Sequence, residues 1–131
     1  MPKKAVRPKV LIIEDDRELV LLLRRALSGR RYEVLVAGDA EEGLPLARRE
    51  HPALIILDIL LPGKSGYEVL RQLKTEAATR DISVLVLSNL GQEQEARTGV
   101  GLGAVDYLIK ADTTIDAVVK RVDALLRRSR S

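Results

Sequence analysis

The sequence contains no cysteine, tryptophan or phenylalanine, and three tyrosines are its only aromatic residues. Without cysteine, the chain can form neither a disulfide framework nor a thiolate metal site. Aromatic residues make up 2% of the chain and hydrophobic residues 46%, so leucine, isoleucine and valine must fill the core. No apolar run approaches the ~20 residues that a membrane-spanning helix needs, and no signal-like segment follows the basic start. These absences predict a cytoplasmic globular protein that has no membrane partner.

Charge is distributed unevenly along the 131 residues, which carry a formal net charge of +3. The first ten and last twelve positions hold nine of the 22 basic residues but only one of the 19 acids. Basic ends could contact nucleic acid, but neither end has an aromatic side chain for stacking on bases. We therefore expect solvated ends and no direct nucleic-acid binding. The length fits one domain, which we place at residues 9–128 between flexible tails at residues 1–8 and 129–131.

Short apolar runs alternate with segments of helical periodicity. The runs are Val10–Ile13, Tyr32–Ala37, Leu54–Leu57, Ile82–Leu87 and Val105–Ile109. Unbroken runs of this kind are typical of strands buried on both faces. The helical patterns lie near 19–27, 39–50, 67–73, 92–102 and 115–126. A strand followed by a helix, repeated five times, predicts an α/β fold in which helices cover both faces of a parallel sheet.

Several residues carry local structural signals. Asp16 and Ser65 are predicted to cap the first and third helices, the latter through a capping box with Glu68. Pro45 should bend or fray the second helix because it removes a backbone donor. Two glycines and few apolar anchors in 92–102 predict a mobile segment. The single histidine, His51, precedes a proline and is interpreted as a loop residue.

Polar residues follow four of the predicted strands. Glu14 and Asp15 end the first strand and Asp58 the third, while Ser88 and Lys110 end the fourth and fifth. Sites in open α/β sheets form at these carboxyl ends, so the side chains should converge. Clustered carboxylates resist joint ionisation, and a hard cation such as Mg²⁺ relieves their repulsion. Lys110 and the hydroxyl of Ser88 would complete a binding site for a phosphoryl group carried on Asp58.

Each of these residues, taken alone, has an ordinary structural interpretation. Glu14 and Asp15 could form a strand exit, Ser88 a turn and Lys110 part of the surface. Asp58 is harder to explain in this way, because it lies between Leu57 and Ile59 and an unpaired buried carboxylate is costly.

The segments VLIIEDD, LIILDILLPGKSG, VLVLS and DYLIK resemble the motifs of bacterial response-regulator receiver domains, at matching spacing over about residues 9–128. The resemblance implies a (βα)5 doubly wound, flavodoxin-like fold with strand order 2-1-3-4-5. It makes Asp58 the phosphoacceptor and Lys110 the phosphate-pairing lysine. It also makes Ser88 the switch hydroxyl and Tyr107 the switch aromatic. The implied Mg²⁺ ligands are Glu14, Asp15, Asp58 and the backbone carbonyl of Leu60.

Three positions depart from the family pattern. Ala111 stands where a proline with a cis peptide bond is usual, and we predict a trans Lys110–Ala111 bond and a shifted loop. Leu60 and Leu90 occupy two positions that often tune hydrolysis, and neither can orient water, so we predict a long-lived phospho-Asp58. Asn89 replaces a smaller residue and would narrow access to the acceptor.

These observations predict a regulatory phosphoacceptor, not an enzyme acting on other substrates. A sensor histidine kinase or phosphotransfer protein would donate the phosphoryl group. The response would be a changed surface on the fourth predicted helix, the fifth strand and the last helix. A downstream protein target, an effector domain or a second copy would bind that surface. We expect the chain to encode no effector domain itself.

Three alternatives remain open from the residues. A small α/β phosphatase would need a second catalytic carboxylate and a substrate cap. A flavodoxin-like ligand binder would need Gly, Ser or Thr after the first strand, where this chain has acids. The third alternative is a receiver-like interaction module that works without phosphorylation.

Overall fold

A computed structural model of the chain describes residues 7–89 and 101–130, with the side chains of the last helix described as far as Arg127. The strands are β1 (Lys9–Ile13), β2 (Glu33–Ala37), β3 (Leu54–Leu57), β4 (Ser83–Ser88) and β5 (Asp106–Ile109). They form one parallel sheet in the order β2-β1-β3-β4-β5. The predicted fold and strand order are therefore confirmed.

Four helices surround this sheet in the part of the chain that the structure describes. They are α1 (Arg17–Ser28), α2 (Ala40–Glu50), α3 (Gly66–Thr75) and α4 (Ile115–Arg130), and a 3₁₀ turn spans Lys110–Asp112. None of the described helices is long and apolar enough to cross a membrane. The helix predicted at 92–102, and its predicted mobility, lie almost entirely outside the described residues.

The core consists of two aliphatic layers, one on each face of the sheet. On one face, Leu23 and Leu27 of α1 pack with α4 residues such as Val122. On the other face, α2 and α3 contribute residues such as Leu44 and Leu70. All four residues of β3 are buried, because β3 lies inside the sheet between the two layers. This explains why its sequence reads as an unbroken apolar run.

A side chain caps the N-terminus of each of α1, α2 and α3. The carboxylate of Asp16 accepts hydrogen bonds from the N–H groups of Glu18 and Leu19, which confirms the predicted cap. Ser65 caps α3, but its hydroxyl accepts from Tyr67 rather than from Glu68. Pro45 was predicted to bend or fray α2; it does not fray the helix, which continues to Glu50, and the bend stays a prediction. Burial of Leu44 and Ala47 in the core offsets the lost backbone bond.

The register of the strands brings their carboxyl ends to one edge of the sheet. Ile13 lies opposite Leu57, so Glu14 and Asp58 leave adjacent strands at the same level. The N–H of Asp58 donates to the Ile13 carbonyl at 3.1 Å, which extends the ladder to Asp58. Ser88 lies opposite Ile109, the residue before Lys110. Four strands therefore deliver polar residues to one small region.

The start of α3 packs directly against the backbone that carries Asp58. A Cβ atom added to Gly66 would lie 2.4 Å from both the Asp58 carbonyl oxygen and the Ile59 Cα. The Gly66 N–H also donates to the Ile59 carbonyl at 2.9 Å. Both clashing atoms belong to the backbone and cannot rotate away. A residue without a side chain is therefore required at this position.

Replacing Gly66 with alanine should lower the free energy of unfolding by about 1–3 kcal/mol, because the added methyl group must push the Asp58–Ile59 segment or α3 aside. The matched control is Gly29→Ala at the end of α1. There φ is −65° and the nearest non-neighbouring atoms lie 3.5 Å from the added Cβ. Chemical denaturation measures both variants. Equal stability of the two would contradict the tight contact at Gly66.

Candidate functional site

Three charged side chains form the centre of the site. Glu14 and Asp58 are each 4% exposed, at the ends of β1 and β3. The ammonium group of Lys110, which follows β5, lies between them. Its Nζ is 2.6 Å from Glu14 Oε1 and 3.0 Å from Asp58 Oδ2. One cation therefore bridges two buried carboxylates from different strands.

Backbone N–H groups hold the other oxygen of each buried carboxylate. Asp58 Oδ1 accepts from the Leu60 N–H at 3.1 Å, and Glu14 Oε2 accepts from the Asp16 N–H at 3.0 Å. Each carboxylate is thus fixed between the lysine on one side and its own following loop on the other. These two N–H donors were missed from the sequence, because a backbone donor leaves no mark in the identity of a residue.

The third carboxylate, Asp15, lies at the exposed side of the cluster. One carboxylate oxygen each of Glu14, Asp15 and Asp58 lies within 4.8 Å of the others. If all three are ionised, Lys110 balances one of three negative charges and leaves an excess of two. A set of carboxylate oxygens with this excess fits a small divalent cation such as Mg²⁺, which prefers oxygen ligands and keeps several waters.

The other predicted site residues lie around this centre. Ser88 is fully buried at the end of β4. Tyr107 on β5 is half-buried, and its side chain packs against the core layer beneath α2 and α3. Leu60 is 55% exposed at the rim, and Asn89 is also exposed. Leu90 lies outside the described residues.

The Lys110–Ala111 peptide bond is trans, as predicted. Lys110 to Asp112 form a 3₁₀ turn, and the predicted shift of this loop stays a prediction. The lysine nevertheless reaches both carboxylates. The departure at Ala111 therefore leaves Lys110 within bonding distance of Asp58.

Burial is the largest influence on the ionisation of Glu14. It raises the pKa of Glu14 from 4.5 to about 7, while hydrogen bonds from Lys110 and Asp16 oppose the rise. The negative charge of Asp58 raises this pKa further but is a smaller cause, although charge repulsion was the cause predicted from the sequence. Burial also lowers the pKa of Lys110, but bonds and charges from Glu14 and Asp58 outweigh it and leave this pKa raised.

Comparison with known proteins identifies the family. The model of the response regulator receiver domain matches residues 10–123. The chain belongs to this family. It is 40% identical over 122 residues to the DNA-binding dual master transcriptional regulator RpaA of a Synechocystis strain, covering 93% of this chain and 50% of that protein. It is 38% identical to the alkaline phosphatase synthesis transcriptional regulatory protein PhoP of Bacillus subtilis, covering 92% and 49%.

Solved structures of receiver domains share the fold of this chain. The BeF3-activated N-terminal receiver domain of Klebsiella pneumoniae RstA has a TM-score of 0.83 at 28% identity, covering 91% of this chain and 98% of that one. A response regulator from Thermotoga maritima has a TM-score of 0.83 at 26% identity, covering 93% and 99%. This receiver domain therefore spans about half the length of the curated relatives it matches and nearly all of these solved chains.

The pKa of Glu14 makes the stability of the receiver domain depend on pH. Since this pKa is higher in the folded state than the 4.5 of an ordinary glutamate, folding takes up a proton between these two values. The contribution of Glu14 to the unfolding free energy should fall as pH rises from 4.5 to about 7, by on the order of 3 kcal/mol. Denaturation of wild type and Glu14→Gln between pH 5 and 8, without divalent cations, measures it.

The stability of wild type relative to Glu14→Gln should decrease from pH 5 to about 7 and then level off. Glu68→Gln, which alters an exposed acid on α3, provides the control and should show no comparable trend. A relative stability that increases with pH would mean that the ion pair with Lys110 outweighs burial, and the raised pKa of Glu14 would then be wrong.

Proposed function

We propose that this receiver domain is a phosphorylation switch in which Asp58 accepts a phosphoryl group. The observation that carries the proposal is the Lys110 ammonium, 3.0 Å from Asp58 Oδ2 beside two further carboxylates. A buried carboxylate that needed only neutralisation would require one cation. Two more acids beside it make sense when the site must also accommodate a divalent ion and the anionic group that this ion accompanies.

The proposed cofactor is Mg²⁺, held by the carboxylates of Glu14, Asp15 and Asp58 and by the backbone carbonyl of Leu60. When bound, it would neutralise charge on the oxygens of the transferring phosphoryl group. Lys110, which contacts Glu14 and Asp58, would contribute a second positive charge. Glu14, Asp15 and Asp58 would thus all be metal ligands, and among these three only Asp58 would also be the nucleophile.

The transfer step is a displacement at phosphorus. An oxygen of the Asp58 carboxylate forms a bond to phosphorus, and the bond from phosphorus to the imidazole nitrogen of the phosphohistidine breaks. The imidazole departs with the electron pair of that bond and takes a proton from solvent. Asp58 becomes an acyl phosphate, whose oxygens need the positive charge of Lys110 and a hydroxyl donor. The site supports the step mainly through positioning and charge.

Ser88 and Tyr107 are the proposed route from phosphorylation to a changed surface. Ser88 would donate its hydroxyl to a phosphoryl oxygen, pulling the loop after β4 toward Asp58. The half-buried Tyr107, which lies opposite Val86 on the neighbouring strand, would then turn further inward. A differential interaction of a few kcal/mol is sufficient to shift such a two-state equilibrium.

The proposed partners follow from the family. A sensor histidine kinase or a phosphotransfer protein would supply the phosphoryl group. A downstream protein or an effector domain would bind the surface formed by the fourth predicted helix, β5 and α4, and this surface could also pair two copies. Because the matched relatives are transcriptional regulators about twice as long, the absence of nucleic-acid binding stays a prediction for this chain. A cytoplasmic location stays a prediction as well.

Phosphorylation is tested by intact-mass spectrometry after incubation with acetyl phosphate and Mg²⁺. The wild-type protein should gain the mass of one phosphoryl group, and it should not do so when the cation is chelated. Asp58→Asn should remain unlabelled because an amide is a poor nucleophile. Equal labelling of this variant would show that another residue is the acceptor. An unlabelled wild type would favour the receiver-like module that works without phosphorylation.

The lifetime of phospho-Asp58 depends on whether a neighbouring side chain can orient an attacking water molecule. Leu60 is exposed at the rim and offers no group that can orient an attacking water. Phospho-Asp58 should therefore persist well beyond seconds, and Leu60→Asn should shorten its lifetime by roughly tenfold. Leu22→Asn, at an exposed leucine on α1, is the control and should leave the lifetime unchanged. Radiolabel decay measures all three proteins, and loss of label within seconds from wild type would contradict this prediction.

A further inference from the structure

Helix α3 runs from one end of the sheet to the other. It begins at Gly66, which touches the backbone of Asp58 just beyond β3. A helix that links two parallel strands must run back across the sheet, so α3 ends on the side where β4 begins. Its ten residues span about 15 Å, and Val69, Leu70 and Leu73 are fully buried. A firmly packed helix therefore extends from Asp58 toward the start of β4.

Lys74, in the last turn of α3, contacts the residues that precede β4. Its ammonium group donates to the Ile82 carbonyl at 2.6 Å and to the Arg80 carbonyl at 3.2 Å. In the described part of the chain, no carboxylate lies within ion-pair distance of Lys74. Burial lowers the pKa of Lys74, and the charge of Asp81 opposes this effect only partly. Two backbone carbonyls just before β4 therefore hold a partly desolvated ammonium group.

The aliphatic stem of Lys74 covers the segment that leads into β5. A Cβ atom added to Gly103 would lie 2.9 Å from Lys74 Cγ and 3.3 Å from Lys74 Cδ, so the stem leaves no room for a side chain. Gly103 has a φ of 107°, which residues with a side chain rarely adopt. Two residues later, the Val105 N–H donates to the Val84 carbonyl at 2.8 Å, just before β4 and β5 begin to pair. Lys74 thus contacts the approaches to both strands.

Capping of α3 does not explain the contacts of Lys74. A basic residue in the last turn of a helix often bonds the final carbonyls of that helix. Here threonine hydroxyls bond two of these carbonyls, since Thr79 donates to the Leu73 carbonyl at 2.7 Å and Thr75 to the Arg71 carbonyl at 2.9 Å. Both hydrogen bonds of Lys74 go beyond the helix instead. Its ammonium group therefore joins α3 to the strand that follows.

The position of β5 has fewer constraints than that of the central strands. β5 has four residues and lies at one edge of the sheet, where it pairs with β4 alone. All four residues are only half-buried, whereas all of β3 is buried. Tyr107 lies in β5, and Lys110 directly follows it. A contact at the approach to β5 therefore helps to set where these two side chains lie.

We propose that Lys74 is a positioning residue of the phosphorylation site. By joining the approaches to β4 and β5 to α3, it holds Ser88 and Lys110 at the level of Asp58, whose backbone touches the other end of the same helix. The inference rests on the proposed function, in which Ser88 and Lys110 bind the phosphoryl group. The proposed cation ligands follow β1 and β3 instead. Loss of the Lys74 ammonium group should therefore slow phosphoryl transfer without weakening cation binding.

The placement of β5 is tested by backbone NMR of the full chain without cation or phosphodonor. Lys74→Met keeps an aliphatic stem and removes the ammonium group. The amide resonances of Tyr107 and Lys110 should shift in this variant, while those of β1 should change little. Lys74→Arg keeps a charged donor and should restore the wild-type resonances. Lys120→Met is the control, because the Lys120 side chain is 71% exposed, and it should shift neither set.

The functional consequence is measured as a rate and an affinity on the same proteins. With acetyl phosphate and saturating Mg²⁺, Lys74→Met should take up label about tenfold more slowly than wild type, because misplacing a group that acts on the reaction centre is costly. Its dissociation constant for Mn²⁺, measured by calorimetry, should not rise. Lys74→Arg should recover most of the rate, and Lys120→Met should match wild type in both quantities. Reduced stability alone would not separate the rate from the affinity in this way.

Resonance shifts confined to the residues that touch position 74, or an unchanged labelling rate, would overturn the proposal. A parallel loss of labelling and Mn²⁺ binding would overturn it too, because it would indicate general damage to the site. If Lys74→Met fails to fold, Lys74→Gln, which keeps one amide donor, replaces it with the same outcomes. A wild type that takes up no label would contradict the proposed function, whereas the NMR measurement would still decide whether Lys74 positions β5.

Discussion

Two carboxylates, Glu14 and Asp58, are buried at the ends of adjacent strands, and the site depends on the positive charge that compensates them. Burying an ionised carboxylate is costly unless it is paired and hydrogen-bonded. The single ammonium group of Lys110 pairs with both carboxylates, and each carboxylate also accepts a hydrogen bond from one backbone N–H. The compensation is incomplete, since the pKa of Glu14 stays raised to about 7 and Asp15 adds a third negative charge nearby. The site is therefore arranged to attract further positive charge.

The fold provides this arrangement through strand register rather than through long loops. β1 and β3 place Glu14 and Asp58 side by side, β4 ends at Ser88, and Lys110 directly follows β5. Close packing then limits movement of Asp58, because Gly66 at the start of α3 touches the backbone of Asp58 and Ile59. β2 lies at one edge of the sheet, and β5, the strand that Lys110 follows, lies at the other.

Much of this organisation could be predicted from the sequence, because buried parallel strands leave unbroken apolar runs. Leu54–Leu57 was predicted with its observed bounds, and the other strand ends differ by at most one residue. Asp16 and Ser65 have the side chains that caps require. The continuity of α2 through Pro45 was not predictable, because tertiary packing overrides a local breaker. The close contact at Gly66 was missed as well, although a glycine beginning a helix eight residues after an acidic strand end was a signal. The pKa of Glu14 depends on burial, which spacing does not determine.

The central claim is that Glu14, Asp15 and Asp58 share one divalent cation next to Lys110. Crystals grown with Mn²⁺, which also prefers oxygen ligands and scatters anomalously, test it most directly. We predict one strong anomalous peak within bonding distance of all three carboxylates, lost in crystals of Asp15→Asn combined with Glu14→Gln. A map at saturating Mn²⁺ that shows no peak there, or shows its peak at other acids, would contradict the claim.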